Sequence, residues 1–173
     1  MSTYFVSILI SIISVGLSDL EVFSGRVIYM DSYESKHPDI SAATLEKLLG
    51  TTREFFIDNQ FYKSIYYGEI KTTVLYRGDV NKIFRFKDDN DTIYWIDAAI
   101  DTLSIVSESR LEETEDTILG LKCQKLTVVT NTGIVTYYFN NEYALLPRAF
   151  SRHRLECWDF YTATAKALPL KIV

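Results

Sequence analysis

The side chains that most often carry acid–base, nucleophilic or metal chemistry are sparse here: two histidines, His37 and His153, and two cysteines, Cys123 and Cys157. His37 precedes Pro38 in a polar stretch, and His153 stands between Arg152 and Arg154. Neither has a metal ligand or a triad partner at recognisable spacing, so both read as ordinary surface residues. Arg148, Arg152, His153 and Arg154 would form a cationic spot. Such a spot suits a lipid phosphate or an acidic partner, and equally a solvated face that balances nearby acids. Neither cysteine belongs to a C-x-x-C pair. In an exported chain two cysteines read as one disulfide, Cys123–Cys157, and in a cytosolic chain as two buried thiols. A bridge of that span would stabilise by about 3–4 kcal/mol in the chain-entropy model.

The acidic run Asp88-Asp89-Asn90-Asp91 opens like a calcium loop but lacks the glycine at the sixth position and the bidentate glutamate at the twelfth. It reads as a hairpin turn. Residues 108–115, with Glu112 and Glu113, read as a solvated acidic connection. There is no glycine-rich phosphate loop, no G-x-S-x-G elbow and no H-E-x-x-H. The carboxylate pairs of glycoside hydrolases are paired in space rather than in sequence, and nothing here selects a pair. The sequence therefore assigns no catalytic residue, no metal ligand and no cofactor.

A formal charge of −5 without a basic cluster makes nucleic acid a poor partner. Residues 4–17 form an uncharged apolar run, shorter than the roughly 20 residues of a membrane-spanning helix. Gly16 and Ser18 supply small residues at the −3 and −1 positions of a cleavage site. The expectation is a signal peptide over 1–18, a single domain over 19–173, and a periplasmic or secreted location. An uncleaved anchor or a first buried strand are the alternatives.

The elements that must position these residues are mostly strands. Aromatics reach 14%, with 12 Tyr and 10 Phe, which favours β-structure. Lys125–Thr130 and Ile134–Phe139, joined by Asn131-Thr132-Gly133, read as a hairpin. Glu21–Tyr29 reads as a first strand. The segments 54–57, 60–67, 71–77, 82–87 and 92–97, separated by turn residues at near-regular spacing, read as a β-meander. Residues 103–106, 155–161 and the closing 168–173 read as further strand. The clearest helix begins at Ser41 as N-cap, carries Leu45, Leu48 and Leu49 on one side and stops at Gly50. Phe55-Phe56, Tyr66-Tyr67, Tyr94-Trp95-Ile96 and Tyr137-Tyr138-Phe139 are apolar on both faces, which calls for cover on both sides of the sheet in places.

The segment Thr117-Ile-Leu-Gly-Leu-Lys-Cys123-Gln-Lys125 is similar to the "ILGYKCKK" stretch of small exported bacterial proteins of the GLPGLI type and related domains of unknown function. The following strand, the Gly-containing turn, Tyr137-Tyr138, Leu146-Pro147 and Ala167-Leu-Pro-Leu-Lys-Ile172 fit the same pattern. Phe23 to Tyr29 and Gln60-Phe-Tyr62 match it more loosely. The Gly-Leu-Pro-Gly-Leu-Ile signature itself does not occur. In fold this group resembles the periplasmic carriers of lipoproteins. That resemblance implies a lipoprotein-carrier-like fold, with an apolar chain bound rather than a reaction catalysed.

The expected architecture is thus mainly β, a curved antiparallel sheet or incomplete barrel, with one or more short helices covering its concave face. The expected ligand site is an apolar groove under the Ser41–Leu49 helix, built from Leu45, Leu48, Tyr66, Val74, Tyr76, Phe84, Phe86, Tyr94 and Ile96. The function expected is non-catalytic binding of a lipid or lipoprotein acyl chain by an exported envelope protein. The alternative is a structural or protein-interaction component of the envelope, without a small ligand.

Overall fold

The computed structural model describes residues 22–35, 38–101 and 104–173. The expected leader, His37 and Leu103 lie outside these residues. The chain is mainly β and forms two antiparallel sheets that do not close into a barrel. The first sheet is a meander of β1 (Gly25–Met30), β2 (Thr52–Asp58), β3 (Phe61–Tyr66), β4 (Thr72–Arg77), β5 (Lys82–Lys87) and β6 (Tyr94–Asp97), paired in chain order. The second contains β7 (Val106–Ile118), β8 (Leu121–Thr130), β9 (Gly133–Ala144) and β10 (Ala167–Ile172), in the order β10-β9-β8-β7.

The β8–β9 hairpin turns at Asn131-Thr132, with Thr130 opposite Gly133. The β7–β8 hairpin is equally short, with Ile118 opposite Leu121 across Leu119 and Gly120. Both of these have positive φ, 54° and 79°, as a two-residue type I′ turn requires, and glycine adopts that conformation without steric cost. The stretch around Gly120 therefore specifies a turn and a register. Residues 108–115 are not a loose connection. They belong to β7, whose acids are anchored on β8 by Lys125 to Glu112 at 3.4 Å and Lys122 to Glu115 at 2.9 Å. Cross-strand charge pairs are compatible with an exposed edge strand.

α1 (Ala42–Leu49) begins as expected: the Ser41 hydroxyl accepts from the Thr44 N–H at 3.1 Å, and Gly50 ends the helix with φ 82°. It does not cover a sheet face. None of its residues is buried, and Leu48 and Leu49 are 49% and 46% exposed. It is held at its C-terminal end, where Glu69 N–H donates to Lys47 O at 2.8 Å and the glycines Gly50 and Gly68 let the two backbones touch.

Cover comes from a segment expected to be strand. Residues 155–161 instead form the 3-10 turn Leu155–Cys157 and the start of α2 (Trp158–Ala165), preceded by the 3-10 turn Pro147–Phe150. α2 buries Tyr161, Thr162 and Ala165, and Tyr161 Oη donates to Ala167 O at 2.9 Å. One core joins Phe55, Ile57, Tyr76 and Ile83 of the first sheet, and Ala98 just after β6, to Leu145, Phe150 and Leu168. The other joins Leu126, Val128, Tyr137 and Phe139 of the second sheet to Tyr161 and Ala165. Trp158 packs against both cores. The sheets also meet at their edges, where Phe23 N–H donates to Ala144 O and Tyr29 Oη to Pro169 O.

Cys123 and Cys157 are separate free thiols, both buried, and not a disulfide. On β8, Leu126 and Val128 face α2, and Cys123 has the opposite parity. Cys157 lies on the α2 side, beside Val128 and Tyr137, so the sheet stands between the two sulfurs. Each thiol has its own acceptor: Leu121 O at 3.5 Å for Cys123 and Ser104 O at 2.9 Å for Cys157.

Candidate functional site

Every second residue of a strand shares a face, and strand pairing aligns those residues across the sheet. The inner face of the first sheet accordingly carries three rows. The first is Ile57, Tyr62, Tyr76, Ile83 and Ile96. The second is Val27, Phe55, Ser64, Val74, Arg85 and Tyr94. The third is Tyr29, Arg53, Tyr66 and Thr72. Over this floor lies a roof made of His153, Leu155, Glu156 and Trp158. A cleft of about 270 Å³ remains between floor and roof, with Pro169 and Ile172 of β10 also in its wall. A second cavity of about 370 Å³ lies on the other side of the roof, against Val128, Val135 and Tyr137 of the second sheet.

The roof is fixed by hydrogen bonds rather than by helix propensity. Ala98 O accepts from the N–H groups of Arg154 and Leu155 at 2.7 and 3.2 Å, and Asp101 accepts from Glu156 N–H at 2.8 Å. The Cys157 thiol donates to Ser104 O, and Asn81 Nδ2 donates to Arg152 O at 2.9 Å. These ties hold Glu156 and Cys157 in left-handed backbone conformation, φ 56° and 57°, which costs a non-glycine residue roughly 1–2 kcal/mol. The resulting reversal carries the chain from the 3-10 turn into α2 and brings Trp158 to the cleft.

His153 is not on the surface: it is 2% exposed and belongs to the roof. Arg152 and Arg154 beside it are exposed. The His153 ring stacks on Tyr62, with centroids 5.7 Å apart, and its Nε2 is 2.8 Å from the Tyr62 hydroxyl. Burial pulls its pKa down to about 4, so the imidazole is neutral at pH 7. Burial likewise drives the Tyr62 phenol well above its usual range, helped by the charge of Glu156. Neither member of this pair titrates near neutrality, and a general acid or base works best with a pKa near the operating pH. The pair serves to position the roof on the floor.

Polar groups are few and unevenly satisfied. Arg53 lies between the rings of Tyr29 and Tyr66, 4.6 and 5.6 Å from their centroids, and pairs with Asp31 at 3.4 Å. Among the described residues, three buried side-chain nitrogens lack a hydrogen-bond partner: Arg53 Nε, His153 Nδ1 and Trp158 Nε1. All three residues line this one cleft. The charged lining residues are Arg53, Arg85 and Glu156.

Tyr66, Val74, Tyr94 and Ile96 of the expected groove line the cleft. Tyr76 shares their face but is sealed beneath His153, with centroids 4.4 Å apart. Phe84 and Phe86 point the other way, because the β4–β5 register pairs Val74 with Arg85 and Leu75 with Phe84. Leu45 and Leu48 stay with α1, outside the lining. Tyr62, Arg53, Arg85, His153 and Trp158 were missed. Strand parity with Tyr66 and Ile83 could have found Tyr62 and Arg85; the roof residues carry no local signal. The outer face explains the strands that are apolar on both sides: Arg26 and Lys63 cover the Phe56 ring at 5.9 and 4.7 Å, and Lys82 covers Trp95 at 3.6 Å.

Neither family models, nor curated proteins, nor solved structures give a match to this chain. The site is read from its own chemistry.

Proposed function

We propose that this protein binds an apolar ligand, an acyl chain of a lipid or lipoprotein, in the cleft between the first sheet and the 153–158 roof. On this reading it acts without catalysis as an exported protein of the cell envelope, akin to the small exported GLPGLI-type proteins. The observation that carries the binding is the floor: aliphatic and aromatic rings in register across several strands, under a roof that stops short of filling the space. Pockets for small ligands are mostly apolar with a few placed polar groups. The neutral His153–Tyr62 pair offers no proton shuttle at pH 7, which favours binding over turnover.

A fluorescent fatty-acid probe should bind saturably to the protein, and mass spectrometry after native lipid extraction should find a co-purifying lipid. A probe that never saturates would refute the carrier reading. Export is tested separately: N-terminal sequencing of protein from its native host should begin near Asp19, and an intact Met1 on cytosolic protein would sink that part.

One observation favours the interaction reading instead. β6 is an edge strand with large apolar residues exposed in succession, Ile93 and Tyr94 at 62%, Trp95 at 56% and Ile96 at 47%. An open edge of that kind invites a partner strand. If Trp95→Lys abolished a complex in the envelope while the probe bound normally, the interaction would be the principal function.

A further inference from the structure

The cleft is apolar in its bulk, yet the unpartnered buried polar atoms among its lining residues are all nitrogens. Arg53 Nε and Trp158 Nε1 can only donate a hydrogen bond. His153 is neutral, and where the Tyr62 hydroxyl donates to its Nε2, its free Nδ1 is also a donor. Buried donors without acceptors are costly and rare in native structures, and here all three belong to residues that line this cleft, of which His153 and Trp158 line the second cavity as well. A pure hydrocarbon would leave all of them unpaired. All three nitrogens are closed off from the open cleft, so a ligand oxygen would reach them only as the surrounding side chains part.

Arg85 adds charge to this pattern. It stands in the middle row of the floor, with Val74 and Tyr94 as its cross-strand neighbours. Its guanidinium has no ion pair or hydrogen bond among the described residues. Arg53 is balanced by Asp31, and Glu156 is the single carboxylate in the lining, so Arg85 is the floor cation without an acid partner.

We infer that the cleft's occupant is an anionic amphiphile: one acyl chain along the aromatic floor, with a negatively charged oxygen head taken by Arg85. This rests on the acyl-binding reading and narrows it: Arg85 is solvent-exposed at the open side of the cleft, where a head group meets it while the chain lies within. A competing role exists for such an arginine, because an inward-facing charge near a sheet edge hinders pairing with other chains. That role makes no distinction between ligand heads.

Trp158 forms part of the roof of the cleft, and Trp95 on the outer face of β6 is the second tryptophan of the chain, so the intrinsic fluorescence of Trp158, isolated in a Trp95→Phe background, reports occupancy. Dodecanoate, 1-dodecanol and dodecyltrimethylammonium would be titrated at pH 8, each below its micelle concentration. Dodecanoate should bind about tenfold tighter than dodecanol, as expected when a charge-assisted hydrogen bond is gained, and dodecyltrimethylammonium weakest. Arg85→Met should abolish the preference for dodecanoate while leaving dodecanol affinity and the thermal melt unchanged, and Arg85→Lys should keep most of it. Equal binding of dodecanoate and dodecanol would overturn the head-group assignment and leave the acyl-binding reading standing. So would a preference that survives Arg85→Met, or an Arg85→Met protein whose sole change is self-association. If none of the three ligands binds, both readings fall.

Discussion

Acid should unfold this protein through His153. The side chain is buried, and its folded pKa is about 4 against an ordinary value of 6.5. Between those values the unfolded chain binds a proton that the folded chain refuses, so stability rises with pH across that window and levels off above it. Read downwards, the stabilisation from keeping the ring neutral is intact above pH 6.5 and lost as pH falls towards 4. A difference of this size at one site corresponds to about 3 kcal/mol between pH 7 and pH 4, and about 2 kcal/mol by pH 5. That is a large share of the roughly 5–15 kcal/mol that holds a typical domain together. The assay is urea denaturation at pH steps from 7.5 to 4.5, for wild type and for His153→Phe, which keeps an aromatic ring over Tyr62 and Tyr76. Carboxylates such as Glu54 and Asp79, whose pKa values are lowered by hydrogen bonds from Arg26 and Arg77, tilt both proteins alike. The difference between the two curves isolates the imidazole. His153→Phe should be less stable at pH 7, having lost the Tyr62 hydrogen bond, and should lose markedly less stability than wild type on acidification. Parallel curves would refute the claim that His153 is held neutral in the core.

Four further outcomes test the fold and the cleft. Unfolded, unreduced protein should carry two alkylatable thiols per chain, and the native protein should react slowly at both, because burial shields each thiol and raises its pKa; mass measurement after alkylation decides. Ser41→Ala should cost about 1 kcal/mol in urea denaturation by removing the cap on Thr44 N–H. Tyr161→Phe should cost about 1–3 kcal/mol, since Ala167 O would be left without its buried donor. Val74→Glu should abolish probe binding while Phe84→Glu leaves it intact, both with cooperative unfolding, because the two residues sit on opposite faces of the sheet; equal effects would contradict the register.

Most of the strands were legible because their turn residues recur and their aromatic and β-branched runs are long. The hairpin around Asn131-Thr132 and the meander from β2 to β6 follow directly from that pattern. What pattern alone could not fix was relative facing. Phe84-Arg85-Phe86 and Val74-Leu75-Tyr76 each alternate, but which residues meet depends on the turn Gly78–Asn81, and a one-residue change in register flips the whole set. The roof was lost for a different reason. Leu155 to Tyr161 holds Trp158, Phe160 and Tyr161, all with strand propensity, while the helical spacing Trp158–Tyr161–Thr162–Ala165 runs beyond it. Tertiary burial of that face overrides propensity. His153 misled similarly: charged neighbours suggest a surface, but Arg152 and Arg154 point out of the turn and the imidazole points into it.

The distribution of local conflicts gives an argument for the cleft that does not depend on its volume. A folded sequence satisfies its local rules almost everywhere, and departures concentrate where something other than stability is served. Adjacent left-handed residues without glycine occur at Glu156-Cys157, in the roof. The three buried nitrogens without partners are Arg53, His153 and Trp158, in floor and roof. An exposed arginine without an acid partner, Arg85, stands between Val74 and Tyr94 on the inner face. These departures differ in kind (backbone strain, unmet donors, uncompensated charge), and no one packing defect would produce them together. Elsewhere on the first sheet Arg26 pairs with Glu54, Lys71 pairs with Asp88 just beyond the strand ends, and Lys63 and Lys82 lie over the rings of Phe56 and Trp95. On the proposed reading an oxygen-bearing chain in the cleft would bring an acceptor to Arg85, and the strained turn holds Trp158 and His153 over the floor. A purely structural account would need a separate explanation for each.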